Sequence, residues 1–342
     1  MTQTLSMGSM LSYEAAIVGL LKKGLHVALK EGYVTFDDRS LQAEWIRRSE
    51  KAPDVIMLGS STSMQLQDKH FPGQTFFNHS VRRGVLEDYI AIYQVYRERG
   101  LKPQRVIIDV DSWIFDPKHW KQYWLTLRRE FFEIASDWRL GIRENEAWEC
   151  AVQHGLRDLR AIGHKDIWRN LQSLASSYFS SDPLFFGTDQ EETLHYLKRA
   201  DGSVRYHASF KNIPESEVTR VIRDSVRFPR YLIEAKYHQA LERFAEQLTG
   251  EGVQVAFYLP PHHPEFYRLE HGNSKGHKVE GWSEFVESLE AIDALVKGTA
   301  EKLGAHIYGG FRPEAFAARS DEFYDWMHAK ESLVKRVLEP KL

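Results

Sequence analysis

Asp54-Val55-Ile56-Met57-Leu58-Gly59-Ser60-Ser61 is the stretch of this 342-residue chain on which the fold turns. The run Asp54 to Gly59 is short and continuously apolar. Such a run fits a strand covered on both faces, as in a parallel sheet. The small residues that follow put a turn at the strand's carboxyl end. Outward from there, Thr75 to Asn78 reads as a second short strand leading into a periodic helix from Leu86 to about Arg99. Gly100 and Pro103 close that helix. Arg105 to Asp111 (RVIIDVD) is a third strand, and strand, helix, strand at this spacing predicts a right-handed βαβ unit.

The same alternation resumes later in the chain. A long helix is expected from about Glu215 to Leu248, stopped by Gly250 and Gly252, and then a strand from Val253 to Leu259. A helix from Trp282 to Leu303, a short strand from Ala305 to Tyr308 and a last helix from about Asp325 complete the pattern. The fold class is therefore α/β with a central parallel sheet, carried by residues 51–342. A mainly helical insertion at about 116–214 interrupts it. Inside the insertion, LKRADGSVRY sets Asp201-Gly202 between two potential strands, a hairpin signal. Residues 1–50 read as an N-terminal helical segment. Leu11, Ala15, Val18 and Leu25 fall on one face of an amphipathic helix, expected to pack on the protein's own body.

Composition narrows the function classes. Apolar residues are 42% and charged residues 27%, as in ordinary globular proteins. A formal charge of -3 gives no basic field for nucleic acid. The single cysteine, Cys150, excludes an internal disulfide and a thiolate zinc site. The apolar run Ala15 to Leu21 is about a third of a membrane span, so no transmembrane segment is expected.

Ligands in open parallel sheets sit beyond the carboxyl ends of the strands. That selects Gly59 to Thr62, Asn78 to Gly84, Asp109 to Trp113 and Pro260 to Pro264. Ser61 offers a hydroxyl at a strand-to-helix turn, where its own backbone N–H can stabilise an oxyanion. A serine needs a base to become a nucleophile. Asp325-Trp326-Met327-His328 supplies one: an Asp three residues before a His can hold Nδ1 while Nε2 faces the serine. Each piece also has a plain reading. Gly-Ser-Ser is a common helix N-cap, and surface helices produce DxxH by chance. Their joint position, after the first and last strands, favours chemistry. Arg82 and Arg83 could hold a substrate carboxylate, with a solvated pair as the default. His262 and His263 could shape a substrate pocket or lie in a solvated loop. Adjacent histidines cannot easily share one ion, so no metal is expected. The aromatics from Trp113 to Trp138 could line a sugar or acyl groove, or form core.

DVIMLGSS resembles the first block of the SGNH (GDSL-like) hydrolases, and the resemblance implies Ser61 as nucleophile. NHSVRRG resembles the second block, implying that the Gly84 N–H lines the oxyanion hole. YDWMHAKE resembles the last block, implying that Asp325 and His328 complete the relay. The third block departs from the pattern: Asp111 stands where an asparagine normally donates to the oxyanion. An ionised carboxylate only accepts, and losing such a donor costs on the order of a hundredfold to a thousandfold. Asn78 is a candidate substitute, or a turn former. IIDVDSWIF and LPPHHPEFY resemble the polysaccharide O-acetylation branch, similar to alginate O-acetyltransferase and D-alanyl-transfer accessory proteins. Members of that branch are usually exported or anchored bacterial proteins. A flavodoxin-like three-layer sandwich with no cofactor is implied.

The expected function is a serine-dependent ester hydrolase or O-acyltransferase acting, through an acyl-enzyme, on an acylated carbohydrate or similar small ester. The alternative is a catalytically weak SGNH-like domain binding glycan or an assembly partner. A phosphate-binding protein is disfavoured by the lack of GxxxxGK[ST] or GxGxxG at Gly59. The chain as given suggests the cytoplasm; a missing signal or anchor would place it in the periplasm or at the cell surface.

Overall fold

Residues 13–29, 37–116, 123–138, 184–186, 196–206, 216–217, 220, 231–268 and 282–339 are described by the structure, a computed structural model. In chain order the elements begin with α1 (Tyr13–Leu21), β1 (Val27–Leu29), α2 (Asp38–Arg47), β2 (Val55–Leu58) and β3 (Phe76–Asn78). Then come α3 (Leu86–Glu98), β4 (Arg105–Asp109), α4 (Arg128–Ala135), β5 (Leu184–Phe186), β6 (Tyr196–Lys198) and β7 (Val204–Arg205). The last are α5 (Ala235–Gly250), β8 (Gln254–Leu259), α6 (Pro264–Arg268), α7 (Trp282–Leu303), β9 (His306–Gly309) and α8 (Glu331–Leu338).

Five strands form the central sheet in the order β3-β2-β4-β8-β9, every pair parallel. All four residues of β2 are fully buried, as its continuous apolar run requires when both faces are covered. Ile56, Leu58, Val106, Ile108, Phe257 and Leu259 join one core with α3, α5 and α7. The alternate residues Val55, Met57, Ile107, Ala256 and Tyr258 join a second core with α8. The result is an α/β protein, helices flanking a parallel sheet. Strand order reverses between β2 and β4, and clefts for ligands open outside the carboxyl ends at such a point.

A second, four-stranded antiparallel sheet has the order β5-β1-β6-β7. Here the structure departs from the sequence reading. The N-terminal segment holds a strand as well as helices, and that strand lies between two strands of the insertion. β1 is only three residues long, too short to show a pattern, and its partners are remote in the chain. Of the insertion, the described parts include these strands and α4; most of it, like Leu11, lies outside the described residues. On α1, Ala15 is buried, and Ile17, Val18 and Leu21 cluster with Leu41 of α2, whereas Leu25 lies beyond the helix end and is exposed. Among the described residues, no helix is long and apolar enough to cross a membrane.

Two helix starts also differ. α5 begins at Ala235, after residues 231–234 that form no helix, and much of the stretch expected to precede it lies outside the described residues. α8 begins at Glu331, so Asp325 to His328 lie in a tight loop before the helix. A bridge between Phe323 and Ala329 closes that loop, and Asp325 fills it by accepting backbone N–H bonds from Met327 (2.9 Å) and His328 (2.8 Å).

Candidate functional site

β2 ends at Leu58, and past Gly59 the chain turns at once into a single 3₁₀ turn, Ser61–Ser63, rather than an α-helix. Ser60 caps the turn, its hydroxyl accepting from the Thr62 N–H at 3.3 Å. Ser61 is left partly exposed. The relay loop reaches it from the far end of the chain. The Ser61 Oγ lies 2.9 Å from Nε2 of His328, and Nδ1 of His328 lies 2.7 Å from Oδ2 of Asp325. The carboxylate can only accept, so Nδ1 carries the ring hydrogen. Nε2 is then the acceptor, and the Ser61 hydroxyl donates to it. Burial pushes Asp325 upward, but His328 and the two loop N–H groups outweigh it and hold the group below the usual carboxylate range.

The Ser61 backbone N–H has no hydrogen-bond acceptor among the described residues, which suits a group meant to meet an oxyanion. The other expected donors are engaged elsewhere. The Gly84 N–H turns back to the Val81 carbonyl at 3.2 Å. What Gly84 supplies instead is closeness: a Cβ there would lie 2.6 Å from the Gly59 carbonyl oxygen and 3.1 Å from Ser60 Cα. Asn78 is fully buried and is no oxyanion donor. Its two amide hydrogens go to the carbonyls of Ser63 (2.9 Å) and Leu66 (3.0 Å), and its Oδ1 accepts from the Ser80 N–H. Asp111 is also buried, with Oδ1 accepting from the Thr62 hydroxyl at 2.8 Å.

The turn carrying Gly84 is clamped by α2. Arg39 makes a bidentate, buried ion pair with Asp88 (2.9 and 2.8 Å) and reaches the Arg83 carbonyl at 3.4 Å. Asp38 accepts from both the backbone N–H and Nε of Arg82. Arg82 therefore serves this clamp, although half of its side chain is exposed. Arg83 sits at φ +54°, a left-handed conformation, and donates to the Tyr123 hydroxyl.

The paired histidines do not line an accessible pocket. His262 is 2% exposed, packed against Phe266, Phe311 and Trp326. Burial pushes it down to about 3, so it is neutral. His263 is 1% exposed, and its Nδ1 accepts the Glu265 N–H at the start of α6. Of the aromatics from Trp113 to Trp138, Trp113, Phe115, Trp124 and Phe131 are core, Phe132 and Trp138 pack partly buried against it, Tyr123 is exposed, and Trp120 lies outside the described residues. Among the described residues, no three His, Cys, Asp or Glu side chains gather as metal ligands do.

Sequence reasoning did not single out Tyr206. Its hydroxyl donates to the Ser61 carbonyl oxygen, and its ring stands edge-on to His328, centroids 5.5 Å apart. The hairpin β6–β7 carries it there. Val204 N–H donates to the Met64 carbonyl at 2.8 Å, and Gln65 Nε2 to the Val204 carbonyl. Gly202, at φ +81°, lets the hairpin tip rest on β3, where a Cβ would meet the Asn78 carbonyl oxygen at 2.4 Å. Asp201-Gly202 was the signal for the hairpin; nothing in the sequence said what it would touch.

The fold and the Ser–His–Asp contact define an α/β protein with a hydroxyl, an imidazole and a carboxylate in series at one sheet end. Compared with family models, curated proteins and solved structures, the chain matches none.

Proposed function

We propose that this chain is a serine-dependent ester hydrolase or O-acyltransferase of the SGNH kind, on a flavodoxin-like sandwich. The observation that carries the reading is the unbroken series Ser61 Oγ, His328, Asp325 at 2.9 and 2.7 Å. In the proposed cycle, His328 Nε2 takes the Ser61 proton as Oγ attacks the acyl carbonyl. Asp325 holds the imidazole and stabilises the imidazolium. The imidazolium then gives its proton to the departing alkoxide, leaving an acyl-enzyme. Water or an alcohol attacks that ester, with His328 again as base, and Ser61 is released. An acylated carbohydrate or similar small ester is the substrate class that the sequence resemblance supports.

One observation favours a second reading, a slow or inactive domain that binds glycan or an assembly partner. Of the three expected oxyanion donors, Ser61, Gly84 and Asn78, only the Ser61 N–H is left without an acceptor among the described residues, and a carboxyl group, Asp111, stands where a further donor is usual. A single missing donor lowers kcat by roughly a hundredfold to a thousandfold. A fluorophosphonate probe separates the readings. Labelling that disappears in Ser61→Ala while the fold is kept supports the enzyme. Folded protein that never labels, even over long incubation, supports the binding domain.

A further inference from the structure

Beneath the nucleophile turn lie two aspartates, Asp109 at the end of β4 and Asp111 two residues on, 0% and 1% exposed. Oδ2 of Asp109 receives the Ser60 N–H at 3.0 Å and the Ser63 hydroxyl at 2.7 Å. The Thr62 hydroxyl lies 3.0 Å from that same oxygen and 2.8 Å from Oδ1 of Asp111. It has one hydrogen and can serve only one of them. The other two oxygens, Oδ1 of Asp109 and Oδ2 of Asp111, are buried with no hydrogen-bond partner. The two carboxyl groups perturb one another, and the Ser60 hydroxyl also favours the charged form of Asp111; no Lys, Arg or His bonds to either one among the described residues. The titratable neighbours are Tyr89 on α3, Tyr258 on β8 and Tyr231.

Two buried carboxylates with no cation bonded to them cannot both stay charged in such a place. Each buried charge needs its own donors, and two like charges in contact disfavour double ionisation. We propose that Asp109 and Asp111 share one proton and together position the nucleophile turn, Asp111 Oδ2–H donating to Oδ1 of an ionised Asp109. The donor count decides which residue keeps the charge: Asp109 already holds the Ser60 N–H and the Ser63 hydroxyl. Burial pushes both groups up, Asp109 to about 6; burial and then the Asp109 charge push Asp111 well above the usual range. The residue at the usual asparagine position is thus a neutral acid, and it acts on Ser61 through Asp109, Ser60, Thr62 and Ser63. The positioning half of this inference rests on Ser61 being the nucleophile; the shared proton does not.

Infrared difference spectroscopy on the full chain at about pH 8, where ordinary carboxyls are ionised, tests it directly. The expected result is a protonated-carboxyl C=O band in the unaltered chain that is lost in Asp111→Asn. Asp111→Asn should also label with fluorophosphonate at least tenfold faster than Asp111→Ala, because the amide can donate to Asp109 and accept from Thr62. A variant-free check uses ¹³C-labelled aspartate: one carboxyl should keep its protonated chemical shift at about pH 8. If no aspartate holds a proton there, the shared proton is refuted whether or not the chain labels. If the proton is present but Asp111→Asn labels no faster than Asp111→Ala, the positioning role is refuted. If the proton is present and the unaltered chain never labels, the reading of Ser61 has failed and the pair stands.

Discussion

Replacing Gly84 by alanine probes the site through space alone. The added Cβ would sit 2.6 Å from the Gly59 carbonyl oxygen and 3.1 Å from both the Gly59 carbonyl carbon and Ser60 Cα. All three are backbone atoms of the turn that carries Ser61. Ordinary non-bonded contact lies at about 3.5 Å, so the two segments must separate by about 1 Å. The Gly84 turn cannot easily yield, because Asp38 and Arg39 of α2 clamp it, Arg39 through its ion pair with Asp88 of α3. The nucleophile turn must therefore move, and with it Ser61 relative to His328. A misplacement of about 1 Å costs roughly a hundredfold in rate, or about 2.7 kcal/mol at 1.36 kcal/mol per tenfold. The overpacking itself should lower stability by about 1–3 kcal/mol. The assay is the second-order rate of fluorophosphonate labelling, with urea unfolding measured in parallel. Gly84→Ala that labels within threefold of the unaltered chain would refute the packing argument.

Three further outcomes follow from particular contacts. Glu87 is buried, accepts from the Tyr237 hydroxyl at 2.8 Å, and is pushed up by burial to about 7 from an ordinary 4.5. The folded state therefore binds this proton more tightly, and stability falls as pH rises from about 4.5 to 7. Glu87→Gln should add up to about 3 kcal/mol at pH 8 and nothing at pH 4, at 1.36 kcal/mol per pKa unit; identical pH profiles in denaturant unfolding would contradict this. Tyr206→Phe removes the donor to the Ser61 carbonyl, worth about 1 kcal/mol, and should slow labelling severalfold, with Tyr206→Ala slower still because His328 loses its aromatic cover. Asn78→Ala leaves the buried Leu66 carbonyl and Ser80 N–H without their partner, and the Ser63 carbonyl with only the Leu66 N–H at 3.1 Å; it should cost about 2 kcal/mol or more in urea unfolding.

Much of the sheet could be read from pattern because its strands are buried on both faces. Val55–Leu58 and Gln254–Leu259 differ from the expected bounds by a residue or two, and Leu86–Glu98 ends where Gly100 required. The meeting of Ser61 with His328 was legible for a topological reason: both follow strands of one parallel sheet, at the same end. The loop at Asp325 was misread as a helix start because an Asp that accepts two local N–H groups looks the same in sequence whether a helix follows at once or six residues later. His262 and His263 looked available because they follow a strand end; Trp326 and Phe311 pack on the first and Phe323 on the second, all brought in by long-range folding. Tyr206 and the second sheet depend on pairing between short, distant segments, which leave no periodic trace.

That second sheet has a consequence for how the protein matures. Ser61 and His328 are 267 positions apart, and the hairpin wall beside them needs β1, β5 and β6 all in register. Closing such long loops is entropically unfavourable and slow. During refolding from denaturant, helical circular dichroism should thus return well before the serine regains its reactivity.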